Sequence, residues 1–110
     1  MTLAELAQKC DFTIENKGEE EIAFTTVYCC DLLSLVMGRA PAGCAWVTVM
    51  GNVNSIAVAV LADVACIILA EGASLDKLAL ERAKEQGVTV LRTTLPVFES
   101  ALRIHEYCSA

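Results

Sequence analysis

Two apolar runs of strand length, residues 46–50 and 65–69, dominate the pattern of hydrophobic and polar positions in this chain. Both are apolar or β-branched at nearly every position instead of at alternate ones, which suits strands covered on both faces of a parallel sheet. Between them a turn at Gly51 and Asn52 leads into a helix that Asn54 and Ser55 can cap and that reaches about Ala62. The stretch reads as one βαβ unit, and the rest of the chain is organised around it.

Upstream, Thr2 is placed to cap a first helix, with Glu5 three residues on to complete a capping box. Leu3, Leu6 and Ala7 give that helix an apolar side, and it ends near Cys10. Residues 12–14 alternate weakly, as an edge strand would. Asn16, Lys17 and Gly18 form a turn, and Glu19, Glu20 and Glu21 read as a solvated loop. Residues 23–29 are rich in β-formers and predict a strand. Asp31 then caps a short helix over 32–37, closed by Gly38, and residues 39–43 lead to the central unit.

Beyond that unit, Ser74 caps a helix with Asp76 in its first turn and Leu75, Leu78, Ala79 and Ala83 on one face. Gly87 ends it, residues 88–91 form a further parallel strand, and Pro96 stands in the first turn of a last helix. Phe98, Ala101, Leu102 and Ile104 make the apolar stripe of that helix, which runs on to Tyr107. From residue 23 onward strand and helix alternate. The expected fold is α/β: a single domain over 1–110, with a mostly parallel sheet of about four to five strands, right-handed crossovers and helices on both faces.

Composition sharpens this picture. A chain of 110 residues can bury one core without staples. It is 55% hydrophobic but only 5% aromatic, so small aliphatic side chains fill the core, and their excess leaves apolar surface for a partner. That surface is expected at Leu32, Leu35, Val36 and Met37, with Val53 and Ile56 beside them. The net charge is −6, and the eight Lys and Arg residues form no stripe, which argues against nucleic acid as a partner. Residues 53–69 are hydrophobic enough to raise the question of a membrane span. Asn54, Ser55 and Asp63 interrupt them too often, so no membrane partner is expected. The N-terminus lacks a basic segment followed by an apolar one, and a cytoplasmic location is expected.

The six cysteines (Cys10, Cys29, Cys30, Cys44, Cys66 and Cys108) show no C-x-x-C spacing, which favours structural thiols over a metal or redox centre. The vicinal pair Cys29–Cys30, at a strand end, is the arrangement best placed for chemistry. His105 and Cys108 share a helix face, but no further metal ligand is identifiable and no metal site is expected. A phosphate loop of the G-x-x-x-x-G-K-[ST] type is absent, which excludes phosphotransfer by that machinery. No catalytic set emerges and no cofactor is implied. What remains is the edge of the sheet beyond the carboxyl ends of the strands, where α/β folds hold ligands. Gly51, Asn52, Asn54, Glu71, Gly72, Thr93 and Thr94, with Arg92, fall in the turns at that edge and are the candidate ligand-binding residues.

Residues 27–37, the run Trp46–Val47–Thr48, residues 54–59 with 61–65, and residues 90–94 together resemble small stand-alone DRTGG-domain proteins. That family is similar to the N-terminal domain of bacterial HPr kinase/phosphorylase, and related domains occur as dimerising regulatory inserts in CBS-domain pyrophosphatases. The resemblance implies a bacterial, cytoplasmic α/β domain without catalysis of its own, often homodimeric. At the name-giving positions the chain departs from the family. Asn52 and Val53, after Gly51, stand at the Asp-Arg, and Ala70, Glu71 and Gly72 at the Thr-Gly-Gly. Losing that Arg removes a bidentate anion-binding fork. The leading expectation is therefore a non-catalytic regulatory or interaction module that homodimerises. A sensor of a nucleotide or other small anion at the strand-end turns is the alternative, and a cysteine-based metal or redox protein the second alternative.

Overall fold

In the computed structural model, which describes residues 2–18 and 23–109, the chain begins with α1 (Leu3–Cys10), β1 (Thr13–Asn16) and β2 (Val27–Cys29). It continues through α2 (Leu33–Arg39), β3 (Ala45–Thr48), α3 (Val53–Ala62) and β4 (Cys66–Leu69). The last elements are α4 (Lys77–Gln86), β5 (Val90–Arg92) and α5 (Val97–Ser109). The strands form one sheet in the order β1-β5-β4-β3-β2, with β2 to β5 parallel and β1 antiparallel on the β5 edge. The expected mostly parallel α/β sheet is therefore present. The acidic run at 19–21 lies outside the described residues.

Each crossover from β2 to β5 moves one strand along the sheet, and three such right-handed steps place α2, α3 and α4 side by side on one face. The opposite face is covered by α5, which packs on β2 and β3, and by α1 against α5. Register makes the central strands doubly buried: Ala45 lies beside Cys66, Trp46 beside Ile67 and Thr48 beside Leu69. Trp46, Ile67, Leu69 and Val90 then point into the α2–α4 layer with Ile56, Ala59, Ala79 and Ala83. Val47, Ile68 and Leu91 point the other way, toward Leu6, Phe12 and Ile104. Apolar residues at consecutive positions are the signature of this two-sided burial. Trp46 is fully buried, and its indole N–H donates to the Cys30 carbonyl at 2.9 Å, so its one polar group is satisfied.

Helix starts differ from expectation in ways the hydrogen bonds explain. Thr2 caps α1 as read, its hydroxyl accepting from the Glu5 amide. For α3 the cap is Asn52, not Asn54 or Ser55: its Oδ1 accepts from the Ser55 amide at 3.1 Å. For α4 it is Asp76, whose Oδ1 accepts from the Ala79 amide at 2.7 Å, so the helix starts after Ser74 and Leu78 turns outward. Asp31 does not cap α2, which starts at an uncapped Leu32 because the Asp31 carboxylate is committed elsewhere. In α5 the buried side carries Ser100 and Ile104, with Val97 and Ala101 packed alongside, and Phe98 is outside it, 70% exposed.

Two of the expected surface residues prove to be core. Val36 and Ile56 are essentially inaccessible, inside the cluster between α2–α4 and the sheet, because each lies on the inward side of its helix. Leu32, Leu35 and Met37 are exposed as expected, and Val53 is half-buried.

Candidate functional site

The turns after β2 and β3 form the first half of the strand-end edge. Thr48, fully buried, donates its hydroxyl to Asp31 Oδ1 at 2.7 Å, and the Val49 amide reaches the same oxygen at 3.0 Å. The Asp31 carboxylate is thus a clamp between neighbouring strand ends, with the Cys30 amide bonded to the Val47 carbonyl beside it. Gly51 follows. A Cβ at this position would run into the Ser74 carbonyl, and the Gly51 carbonyl accepts from the Asp76 amide at 2.9 Å. The glycine is needed so that the β3–α3 turn and the β4–α4 loop can lie backbone against backbone. Asn52 is occupied as a cap, and Asn54 is exposed in the first turn of α3.

The second half holds the sheet's parting of ways. The loop after β4 goes to α4 on one face, and the loop after β5 goes to α5 on the other. Such a divergence leaves a crevice between adjacent strand ends, the usual ligand position in open α/β sheets. Here the chain fills it with its own bonds. The Gly72 amide donates to the Thr93 carbonyl at 3.0 Å and the Glu71 amide to the Leu95 carbonyl at 2.8 Å. The Arg92 Nη2 donates to the Gly72 carbonyl at 3.1 Å. Glu71 adopts φ +60°, in the left-handed region, and its Oε2 accepts from the Val97 amide at 2.9 Å. A carboxylate of the protein therefore sits where a helix N-terminus would otherwise receive an external anion.

Glu71, Gly72, Thr93 and the neighbouring Arg92 are thus brought together, while Gly51 and Asn52 belong to the β3–α3 turn. Thr93 is buried, its hydroxyl accepting from the Leu95 amide, and Thr94 is exposed. Beside them opens a cleft of about 200 Å³ lined by Thr13, Glu15, Arg92, Thr93 and Thr94. Glu15 Oε1 lies 3.4 Å from Arg92 Nη1, so the cleft's Arg92 already has a carboxylate partner. Thr13 and Glu15 escape a reading of the sequence by segments. They reach the site only because β1 pairs antiparallel with β5, Thr13 beside Arg92, a contact between residues far apart in the chain.

The six cysteines are all free thiols, and they approach one another only in pairs, Cys44 with Cys66, Cys10 with Cys108 and the vicinal Cys29 with Cys30. Cys10, Cys44 and Cys66 are buried, and burial pushes the Cys44 thiol up to about 11 and raises Cys66 further. Cys29 is exposed, yet partial desolvation of its sulfur, followed by the Asp31 carboxylate and Cys30, raises its thiol as well. A raised thiol is less often the reactive thiolate. Among the described residues no three His, Cys, Asp or Glu side chains gather as metal ligands, and His105 is exposed on α5. Every fully buried side-chain nitrogen or oxygen among them has a hydrogen-bond partner. No described helix is long and apolar enough to cross a membrane.

The sequence model of the DRTGG domain matches residues 9–107. Among solved structures, the chain is similar to the CBS and DRTGG domains of the regulatory region of Clostridium perfringens pyrophosphatase, solved with its activator diadenosine tetraphosphate. The TM-score is 0.73 at 16% identity, over 94% of this chain and 45% of the other, so this chain spans just under half of that regulatory region. No curated protein matches the sequence.

Proposed function

Because the chain belongs to the DRTGG-domain family, we propose that it is a non-catalytic regulatory or interaction module that pairs with a second copy of itself in the bacterial cytoplasm. One observation carries this reading. The polar groups at the strand-end edge that could have done chemistry (Asp31, Asn52, Glu71, Arg92 and Thr93) are each bonded to the protein's own loops. They hold turns in place, and the edge hydroxyl that meets a carboxylate, Thr48 on Asp31, is fully buried.

A second reading makes the domain a sensor of a small anion such as a nucleotide. It is favoured by the cleft at Arg92, Thr93 and Thr94 and by the activator bound to the clostridial regulatory region. In this reading the anion takes Arg92 from Glu15, a half-buried pair that solvent already screens. Light scattering coupled to size exclusion, with and without adenine nucleotides, separates the two. A dimer unchanged by nucleotide supports the interaction module. Nucleotide-dependent mass, or thermal stabilisation by nucleotides, supports the sensor, since a ligand at a hundred times its dissociation constant adds about 2.7 kcal/mol. A monomer that nucleotides neither shift in mass nor stabilise counts against both.

A further inference from the structure

Strand β1 departs from regular pairing at one residue, and that residue faces the cleft. Thr13 pairs with Arg92 and Ile14 with Leu91, but Asn16 falls beside Val90, so the register slips and Glu15 is the extra residue of a β-bulge. A bulge interrupts the ladder and re-aims a side chain, which is why bulges gather beside functional sites. Here the re-aimed carboxylate meets Arg92 in the cleft shared with Thr13, Thr93 and Thr94. The contact is a loose one. One carboxylate oxygen lies 3.4 Å from one guanidinium nitrogen, against about 2.7–2.9 Å in a tight charge-assisted bond. The side chains of Arg92 and Glu15 are 39% and 29% exposed, so water competes for both. The guanidinium is anchored separately by the Gly72 carbonyl and carries more N–H donors than these bonds use.

The geometry points to this cleft as a receptor for the phosphoryl group of a phosphate monoester, with Glu15 as a built-in competitor that the ligand displaces. The inference rests on the sensor reading above and gives it a ligand class and a control. Charge decides the class. An outside carboxylate would only replace one monoanion by another at Arg92, whereas a phosphate monoester brings a charge of about −1.5 to −2 and three acceptor oxygens. The donors suit several oxygens. Beside Arg92 stand the exposed Thr13 and Thr94, and the Thr93 hydroxyl accepts from the Leu95 amide and so keeps its own proton to give. Size limits what else enters. At about 200 Å³ the cleft falls below the range of about 300–1,000 Å³ that encloses a whole small molecule, so the rest of the ester stays outside. The N-terminus of α5 plays no part, because Glu71 already fills it.

The test is an amide NMR titration of the full chain with inorganic phosphate, adenosine monophosphate and adenosine, on wild type, E15Q, T94V and E106Q. Phosphate and the nucleotide are expected to shift residues 13–15 and 92–95, and adenosine to shift nothing. E15Q should bind both anions about tenfold more tightly, because a site that is open only part of the time binds more weakly by that fraction. T94V, exposed and short of one donor, should bind more weakly. E106Q, which removes a charge near the far end of α5, should bind as wild type does. Affinity unchanged or weakened in E15Q overturns the proposal, and so does an equal gain in E106Q. Adenosine acting as well as the nucleotide overturns the phosphoryl class. Nucleotide shifts confined to another place, such as the β3–α3 turn, overturn this cleft and leave the sensor reading standing. No shift with any probe at millimolar concentration overturns both. The dispersion of the same spectra shows whether each variant is folded, and T94V, altered at an exposed side chain, keeps the test decisive if E15Q is not.

Discussion

Glu71 shows how a single side chain can close a site. Its backbone is in the left-handed region, where a non-glycine residue is strained, and its carboxylate caps α5. Glu71→Gln should therefore cost about 0.3–1 kcal/mol by removing charge from the helix N-terminus. Glu71→Gly should fall close to wild type, because the relief of about 1 kcal/mol at that φ offsets a lost cap of similar size. Urea titration of both variants checks the pair, and a Gly variant much less stable than the Gln one would contradict it. At the other end of the molecule the Tyr107 hydroxyl donates to Glu5 Oε2 at 3.1 Å, joining α5 to α1. That bond, with the one from Thr2, holds the Glu5 carboxyl below its ordinary value, while desolvation and then Glu5 raise the Tyr107 phenol. The Glu5 contribution is present above the ordinary carboxylate range and lost as pH falls through the lowered pKa. The Tyr107 contribution is present below about pH 10 and lost as pH rises through the raised pKa. In Tyr107→Phe, an NMR titration of the Glu5 carboxyl should show its pKa move upward.

Among the elements, α3 and the turn before it carry the most information. The turn works only because backbone meets backbone at Gly51 and Ser74. Gly51→Ala must push the β4–α4 loop away and break the bond from the Asp76 amide, at a cost of about 1–3 kcal/mol. Chemical denaturation reads this directly, and an unchanged midpoint would mean that the two loops part without penalty. The clamp at Asp31 works on the same scale. One carboxylate oxygen receives both Thr48 and Val49, so a residue with the look of a helix cap instead ties the end of β2 to β3.

For the whole molecule, the one-strand steps from β2 to β5 gather three helices on one face, and the middle one is exposed along its outer side. The layer is complete toward the sheet and incomplete toward solvent. If two copies of the chain pair, stability is linked to protein concentration, and the midpoint of thermal unfolding should climb as the protein is concentrated. A midpoint independent of concentration would exclude coupled dimerisation over the range measured.

The sequence alone determined the element order, the parallel sheet and the two-sided burial of its central strands. These depend on local periodicity and on apolar runs that suit a covered parallel strand; the run at 66–69 is buried throughout, and the run at 46–50 is buried as far as Thr48, where β3 ends and Val49 turns out to solvent. Glycine at 51 and 87 and the cap at Thr2 were legible for the same local reason. Which way a helix faces was not. Val36 and Ile56 look like Leu35 and Val60 in composition, and only packing against the sheet buries the first two and exposes the others. Nor could the sequence reveal that Glu71 caps α5, that Asp31 serves β3, or that Glu15 meets Arg92. Each joins segments distant in the chain, and a side chain with several possible partners settles on one only when the fold has brought that one within about 3 Å.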